Sequence, residues 1–324
     1  MKICFLGDVM LGRGVNEASK HMSPQDHWGD TLELLSLADL RIINLECAIT
    51  DYNTPWTNTP KVFHFRAEPR AVEILKAARI DICSLANNHT LDFCEQGLLD
   101  TRDYLLKAGI CPVGAGKDIY EASKPCLVKA GNFTVGVVAF TDNEPPFAAG
   151  ENKPGTNYLE VSLDPSILTK VERTIQQTRD LGADIVIFSD HWGPNMRLRP
   201  SPLFKQFARR VIELGADVFY GHSAHIFQGI EIYQHKPILY DTGDFIDDYA
   251  VDPVLHNDWS FVFECSFDGY SFSSLTLYPV KLSFARVQRA RGQECQQIIQ
   301  RMLELSAELG TKLEVHDEFM MYQA

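Results

Sequence analysis

The sequence predicts an α/β fold built on a largely parallel sheet. Short apolar runs alternate along the chain with amphipathic segments of helical length. A helix between successive strands is typical of parallel pairing, because a parallel crossover needs a connection of about a dozen residues or more. With 324 residues, of which 45% are hydrophobic and 23% charged, the chain has a globular composition and can bury its own core.

Seven apolar runs are the predicted strands. Each run is short, and most are followed directly by a Gly, Asp, Asn or Glu that interrupts the apolar pattern. The seven runs are residues 2–6, 41–45, 82–86, 134–141, 185–189, 218–220 and 237–240.

Two helices in the second half of the chain have clear boundaries. One begins at Asp164-Pro165 and ends at Gly182, and the other begins at Ser201-Pro202 and ends at Gly215. A capping side chain followed by Pro starts a helix, and Gly ends one, because each residue suits the backbone of that terminus.

The C-terminal part of the sequence has a different pattern. Residues 260–283 alternate apolar and polar side chains around Asp268-Gly269, which is a strong hairpin signal. An amphipathic run from about residue 288 to residue 309 then predicts a final helix.

The charge balance excludes two classes of function. The chain has 43 acidic and 30 basic residues, a formal net charge of −13, so it lacks the positive charge of a nucleic-acid-binding or basic membrane-surface protein. No apolar run approaches the ~18 residues of a membrane span, and the apolar start of the chain is too short for a secretory signal. The eight cysteines form no CxxC pair, so we expect reduced, mostly buried thiols and a cytoplasmic location.

Polar side chains with metal-binding chemistry follow the ends of six predicted strands. The carboxyl ends of strands in an open α/β sheet share one edge, where ligands bind. A single Asp at such a position is usually a turn or helix cap, and a single His is usually a surface residue, but the joint pattern favours a metal site. The residues are Asp8, Glu46, Asn87, Asn88, His89, Asp190, His191, His222, His225, Asp241 and Asp244.

The ligand types indicate which metals and which reaction fit. Imidazole with carboxylate or amide oxygen, and no thiolate, suits Mn, Fe or Zn better than Ca or Mg. Two such ions about 3.5–4 Å apart activate water at neutral pH and stabilise the charge of an in-line displacement. The residues therefore predict hydrolysis that depends on one or two divalent metal ions.

Six segments of the sequence resemble those of a known family. GDVMLGR, NLECAIT, SLANNHTLDF, SDHWGPN, GHSAHIFQGIEIY and PILYDTGDF are similar to the signature segments of the poly-γ-glutamate capsule synthesis (CapA) family, within the calcineurin-like metallophosphoesterase superfamily. The resemblance covers residues 1–248 and implies a four-layer α/β/β/α sandwich of the metallo-dependent phosphatase type, with a binuclear metal centre between two sheets. We expect residues 249–284 to add strands that complete a sheet and residues 285–324 to form a C-terminal helix, giving a single domain over 1–324.

The resemblance implies roles for individual residues. His89 matches the histidine beside the substrate that assists the leaving group. Glu46 stands at the bridging carboxylate, and the histidines of the last motif are divided between two metals. The implied metal ligands are Asp8, Glu46, Asn88, His191, His222 and His225.

The sequence also departs from the superfamily pattern. Met10 stands where phosphoesterases usually have a histidine of the first motif, which leaves one metal with fewer ligands and makes a single-metal site an alternative. Ser223 and Ala224 replace the middle pair of the last motif, while Asp241 and Asp244 add two carboxylates near the site.

Other polar residues are candidates for contact with substrate or with His89. Arg13, Asn87 and Arg197 lie in or near the predicted site loops, and guanidinium groups suit carboxylate or phosphate, although solvated surface arginines are an open alternative. Asp92 follows the ANNH segment and is a candidate to orient His89 in catalysis, or else a plain helix cap.

Two functions remain in view from the sequence. The first is a hydrolase that uses metal-activated water on a small anionic or glutamate-polymer substrate. The alternative is a non-catalytic accessory or binding protein of poly-γ-glutamate or capsule biosynthesis. No nucleic acid or membrane span is expected in either case, and an oligomer is possible.

Overall fold

Two large β-sheets carry the fold in a computed structural model that describes residues 1–324. The first ten strands are β1 (Lys2–Val9), β2 (Leu40–Leu45), β3 (Ala48–Ile49), β4 (Arg66–Ala67), β5 (Ile82–Ser84), β6 (Cys111–Val113), β7 (Ala115–Gly116), β8 (Cys126–Ala130), β9 (Phe133–Thr141) and β10 (Gly155–Thr156). The other ten are β11 (Ile185–His191), β12 (Val218–His222), β13 (Ile230–Tyr233), β14 (Lys236–Leu239), β15 (Asp244–Ile246), β16 (Trp259–Asp268), β17 (Ser271–Ser283), β18 (Arg286–Arg289), β19 (Glu314–Val315) and β20 (Met320–Gln323).

Eight α-helices connect and cover these strands. They are α1 (Arg13–Ala18), α2 (Thr31–Ser36), α3 (Ala71–Ala77), α4 (Cys94–Lys107), α5 (Ile119–Ala122), α6 (Pro165–Asp180), α7 (Pro202–Glu213) and α8 (Gly292–Ala307), with one 3₁₀ turn at Pro145–Phe147. None of the helices combines the length and the apolar composition that a membrane crossing needs.

The first sheet is mixed. Its order is β19-β20-β17-β16-β1-β2-β5-β6, with β15 beside β1 and β18 beside β17. Strands β1, β2, β5 and β6 run parallel to one another, whereas β16 is antiparallel to β1. The parallel register pairs Asp8 with Asn44, so the ends of β1 and β2 lie side by side.

The second sheet has the order β13-β14-β12-β11-β9-β8. Its central strands β9, β11, β12 and β14 are parallel, and antiparallel strands close both edges. The register pairs His191 with His222 at the carboxyl ends of β11 and β12.

Three apolar clusters fill the space around the sheets. One covers the outer face of the first sheet with residues of α2, α3 and α4, and another covers the outer face of the second sheet with residues of α6 and α7. The third lies between the two sheets and takes in the buried face of α8. The predicted α/β class is confirmed.

The strands, hairpin and helices predicted in residues 1–284 are found close to their expected bounds. Helices α6 and α7 start and stop where the Pro and Gly signals indicate, and β16 and β17 form the hairpin around Asp268-Gly269.

The prediction for residues 285–324 is wrong in part. The helix begins only at Gly292, because residues 286–289 pair with β17 as an edge strand. Two more strands follow the helix, and β20 also pairs with β17. These strands are short and receive their hydrogen bonds from a distant hairpin, so local periodicity does not reveal them.

The expectation that all eight cysteines are reduced is also wrong. Cys111 and Cys126 form a disulfide, and the other six are free, five of them buried. The bond joins β6, an edge strand of the first sheet, to β8, an edge strand of the second. Since disulfides are typical of oxidising compartments, reduced thiols no longer argue for a cytoplasmic location, which stays a prediction.

Candidate metal centre

The carboxyl ends of strands from both sheets meet at one buried cluster. Strands β1 and β2 of the first sheet deliver Asp8 and Glu46, and β11 and β12 of the second deliver His191 and His222. These four side chains are almost completely buried. Parallel strands within each sheet bring their carboxyl ends together, which places residues far apart in sequence in one site.

Asp8, His191 and His222 form the first group of metal-binding side chains. Their ligand atoms all lie within 4.8 Å of one another. Asp8 Oδ1 is 3.8 Å from His222 Nδ1, and the Nδ1 atoms of the two histidines are 2.9 Å apart. The amide oxygen of Asn88 lies 2.9 Å from His191 Nε2, so a fourth predicted ligand faces this group.

Asp8 also belongs to a second group, with Glu46, His225 and Asp244. His225 Nδ1 lies 3.6 Å from Asp8 Oδ2 and 2.8 Å from Asp244 Oδ1, and its Nε2 lies 3.9 Å from Glu46 Oε1. The two groups therefore share one carboxylate and form a continuous cluster.

The carboxylate common to both groups differs from the one that the resemblance implies. Asp8 belongs to both sets of ligand atoms, whereas the expected bridging residue is Glu46. Glu46 Oε1 nevertheless lies 3.8 Å from His191 Nε2, so Glu46 also faces the first group. Both carboxylates are therefore close to histidines of both groups.

Asp244 is a potential ligand that the resemblance does not imply. Met10, which replaces the histidine of the first motif, is buried, and its Sδ accepts a hydrogen bond from Gly12 N at 3.1 Å instead of facing the cluster. Asp244 brings the second group to four potential ligands. The Asp-Thr-Gly-Asp segment was the available sequence signal, but it contains two carboxylates, and sequence alone does not say which one faces the site.

The other carboxylate of that segment organises a loop. Asp241 accepts hydrogen bonds from Ala224 N at 2.7 Å and Gly243 N at 2.8 Å, and burial raises the pKa of Asp241 to about 7. These bonds hold the turn on which Ser223 and His225 adopt positive φ angles of 117° and 60°. Positive φ is strained for such residues and is often retained at functional sites.

Burial shifts the pKa values of the side chains in the cluster. Burial raises the pKa of Glu46 to about 8, and burial together with the Glu46 charge raises the pKa of Asp8 well above its usual value. Burial lowers the pKa of His222 to about 3, and burial with the nearby His222 lowers that of His191. Burial alone would lower the pKa of His225, but Asp244 and Glu46 outweigh burial and raise it.

Several buried oxygens of the cluster have no hydrogen-bond partner. These are Asp8 Oδ2, Glu46 Oε1 and Asp244 Oδ2. An unpaired buried carboxylate oxygen is costly, and a divalent cation is the partner that would offset three of them at once. The residues present therefore fit a metal centre with imidazole and oxygen ligands.

His89 and Asp92 form a hydrogen-bonded pair beside the cluster. His89 Nδ1 donates to Asp92 Oδ2 at 2.6 Å, which leaves His89 Nε2 facing Glu46 Oε1 at 3.9 Å. Asp92 is fully buried, and its other oxygen lies 3.4 Å from Lys61 Nζ. A carboxylate in this position suits orientation of the His89 ring, which stays the predicted role of Asp92.

Asn87 lies beneath the site. It is fully buried, its amide nitrogen donates to Asn44 Oδ1 and Leu45 O, and its oxygen accepts from His89 N and the Thr90 hydroxyl. Substrate contact by Asn87 is at odds with this placement, because all of its polar atoms are used within the protein. Asn44, which has no predicted role, donates in turn to Asp8 Oδ1 at 2.8 Å.

Arg13 lines a cavity of about 350 Å³ that opens onto His89 and His225. Phe65, Asn195 and Tyr249 line the same cavity. The Tyr249 hydroxyl donates a hydrogen bond to Glu46 Oε2 at 3.3 Å. No sequence pattern predicts this contact, because the two residues are 203 positions apart.

Arg197 lies elsewhere. It is exposed and borders a separate cavity of about 160 Å³ beside Trp192 and Asp241. The structure therefore does not bring Arg197 to the cavity that contains His89, and Asn195, two residues earlier, occupies that wall instead.

The family model and the similar proteins point to the same family. Residues 2–249 match the family model described as bacterial capsule synthesis protein PGA_cap. A probable polyglutamine synthesis accessory protein of Mycobacterium tuberculosis is 32% identical over 350 aligned positions, which cover 95% of this chain and 91% of that protein.

A second relative and a solved structure align with different shares of this chain. The PGA biosynthesis protein CapA of Bacillus subtilis is 29% identical over 75% of this chain, but the match spans only 62% of the B. subtilis protein. Among solved structures, a hypothetical protein from Thermus thermophilus aligns over 87% of this chain and all of its own, with a TM-score of 0.52 and 14% identity. At that identity the structural likeness bears on the fold alone.

Proposed function

The chain belongs to the bacterial capsule synthesis (PGA_cap) family, and on that premise we propose that it is a metal-dependent hydrolase acting on a small anionic or glutamate-polymer substrate. The observation that carries the proposal is the pair of ligand groups sharing Asp8, with three buried carboxylate oxygens that lack a partner. The helical layers outside both sheets support the four-layer sandwich of the metallo-dependent phosphatase type as part of the same proposal.

The proposed metal ligands come from both groups. Imidazole and oxygen donors without thiolate favour Mn, Fe or Zn. When bound, such divalent ions supply Lewis acidity and lower the pKa of a coordinated water. The residues proposed to hold one or two ions are Asp8, Glu46, Asn88, His191, His222, His225 and Asp244.

His89 is the proposed proton-handling residue. Its Nδ1–H is committed to Asp92, so Nε2 is the atom that can hold or deliver a proton on the cavity side. Burial lowers the pKa of His89, which favours the neutral ring with Nε2 unprotonated. Asp92 acts by positioning His89, and Lys61 lies against the Asp92 carboxylate.

Metal analysis combined with turnover tests this proposal. Purified protein should contain about one or two divalent ions per chain, and His191→Ala or His222→Ala should lose metal. Metal-loaded protein should hydrolyse some member of a panel of phosphoesters and γ-glutamyl peptides, and His89→Gln should keep its metal while losing turnover. A wild type that holds no metal, and gains none from Mn, Fe or Zn, would contradict the proposal.

A second candidate function is supported by a relative's name. The M. tuberculosis relative is called a probable accessory protein of polyglutamine synthesis, which suggests binding to a polymer or to partner proteins without turnover. Metal-loaded protein that binds poly-γ-glutamate, but leaves both the polymer and the phosphoester panel intact, would favour this second function.

A further inference from the structure

The cavity next to the proposed metal centre has aromatic walls. Phe65 stacks on the His89 imidazole with a centroid distance of 4.0 Å and an interplanar angle of 24°. Phe63 continues the wall outward and is stacked on Phe65 at 6.3 Å. Tyr249 meets the ring of His225 edge-on at 5.3 Å. Flat hydrocarbon surface thus extends from the two site histidines to the cavity mouth.

The arginine in this wall is already paired. Arg13 Nε and Nη2 contact the two oxygens of Asp248 at 3.1 Å and 2.7 Å, and only 8% of the Asp248 side chain is exposed. The Arg13 guanidinium also lies 5.2 Å from the centroid of the Phe65 ring and 5.6 Å from that of Tyr249. Its charge is therefore neutralised, and it acts as part of the wall.

The neighbouring basic side chains do not line the cavity and have partners within the protein. Lys61 is 5% exposed, donates to Asn88 O at 2.7 Å, and lies near Asp92 and Glu144. Arg66 donates to Thr50 O and lies over the Phe93 ring. Beyond the proposed ions and their histidine ligands, the cavity therefore has no unpaired lysine or arginine for a second or third carboxylate of a polyanion.

Phe63 is exposed at the mouth of the cavity. More than half of its surface, 56%, is accessible, although it lies next to the almost fully buried Phe65. An exposed aromatic side chain on the rim of a site gains stabilisation when a flat apolar group of a ligand covers it. The volume of about 350 Å³ suits a small molecule.

We propose that the substrate of this site has a single anionic head group joined to an aromatic ring, with the head at the ligand groups around Asp8 and the ring against the exposed side of Phe63 at the cavity mouth. This inference rests on the proposed function, because the anionic head needs the metal ions. The proposed substrate is therefore a small aromatic ester or amide and not a chain of glutamate units.

A pair of non-hydrolysable anions tests the inference by binding. Phenylphosphonate and methylphosphonate carry the same head group and differ in the ring, and their affinities for Mn-loaded protein can be measured by titration calorimetry. The wild type should bind phenylphosphonate about tenfold more tightly than methylphosphonate. Phe63→Ala should reduce this preference to about threefold or less without changing the methylphosphonate affinity.

Tyr270→Ala is the matched control. Tyr270 is 66% exposed and lies in the turn between β16 and β17, so its loss should leave the preference for the ring intact. Tri-γ-glutamate should bind more weakly than phenylphosphonate.

Metal content measured on the same samples separates the two proposals. A sample that takes up no metal would overturn the proposed function and this inference with it. Metal-loaded protein that binds both phosphonates equally, binds neither, loses affinity for both equally in Phe63→Ala, or prefers tri-γ-glutamate would overturn this inference alone.

Discussion

Asp8 is the residue that joins the two ligand groups of the candidate metal centre. It lies near the end of β1, accepts a hydrogen bond from Asn44, and lies within reach of histidines from both sides. Its second oxygen has no partner, and burial and Glu46 raise its pKa. A carboxylate in this position is stable in its charged form only with cations beside it.

Asp244 offers a sharp test of the second ligand group. We expect Asp244→Asn to weaken metal binding by the group around His225, because that group loses a carboxylate while the group around His191 is intact. Mutation of a residue that only supports a ligand typically lowers metal affinity about 10- to 100-fold, so loss of a ligand itself should weaken binding by at least about tenfold. Metal content is measured after dialysis against a fixed concentration of Mn or Zn.

A carboxylate outside the ligand groups supplies the control for that experiment. Asp252→Asn removes a similar charge from a nearby turn, but Asp252 bonds only to the backbone amides of residues 254 and 255 and is in neither ligand group, so it should leave the metal content unchanged. Equal loss of metal in both variants would contradict ligation by Asp244.

His27 links stability to pH away from the metal centre. Its side chain is buried, Nδ1 donates to Ala285 O at 2.7 Å, Nε2 has no partner, and burial lowers its pKa from 6.5. The unfolded chain therefore binds the proton more readily than the folded one, so stability is lost as the pH falls through about 6.5.

We expect His27→Gln to flatten the dependence of unfolding free energy on pH between pH 8 and pH 5. The difference in slope from wild type is at most about 1.4 kcal/mol per pH unit, the contribution of one proton. Urea unfolding at several pH values measures it. His21→Gln, at an exposed position, should retain the wild-type slope, and a wild-type slope in His27→Gln would contradict the prediction.

At the scale of elements, the two sheets are joined at an edge and at the site. Strands β6 and β8 are edge strands of different sheets, and the Cys111–Cys126 disulfide connects them. On the inner faces, the Tyr220 hydroxyl of β12 donates to Leu6 O of β1. The relative position of the sheets, and with it the geometry of the ligand groups, depends on such links.

We expect removal of the disulfide to lower stability without abolishing the fold. The bond closes a loop with a sequence separation of 15 residues, for which the chain-entropy model gives about 3 kcal/mol. The double variant Cys111→Ser with Cys126→Ser should show this loss in urea unfolding.

Cys94→Ser is the control, because Cys94 is a half-buried free thiol. Alkylation of unfolded, unreduced wild type should modify six cysteines, in line with the six free thiols. Modification of all eight, or equal stability of the double variant and the wild type, would contradict the prediction.

At the scale of the whole molecule, a net charge of −13 is combined with a buried acidic cluster. Asp8, Glu46, Asp241 and Asp244 lie in or beside the candidate centre, where divalent ions would offset much of their negative charge. Overall acidity therefore argues against binding of nucleic acid but not against an anionic ligand in the cavity.

We expect divalent metal to stabilise the molecule as a whole, because the ligand groups combine residues of both sheets. At a free metal concentration of 100 times Kd, binding to the folded state alone contributes about 2.7 kcal/mol. For a chain of 324 residues this raises Tm by about 4 °C. Thermal unfolding with Mn or Zn after chelator treatment measures the shift.

His191→Ala should show a smaller shift, and KCl at equal ionic strength should show none. A chelated wild type whose Tm does not respond to Mn, Fe or Zn would contradict metal binding to the folded state.

Much of the fold and the ligand types follow from the sequence by itself. The periods of apolar residues, and the Pro and Gly signals around residues 165–182 and 202–215, are local, so they predict strands and helices without knowledge of contacts. The polar residues that follow each strand can also be read from the local sequence. Because the carboxyl ends of parallel strands lie at one edge of a sheet, these residues are predicted to form a cluster.

Only the tertiary structure shows the features that depend on contacts between residues far apart in the sequence. Asp248, 235 positions from Arg13, neutralises a guanidinium that the sequence offers as an anion-binding group. The pairing of Cys111 with Cys126, the edge strand at residues 286–289 and the choice of Asp244 over Asp241 depend likewise on packing between elements. Local patterns specify which chemical groups stand at the ends of strands, but only tertiary packing determines which of them are paired and which stay free, because charge and burial depend on neighbours that the sequence separates.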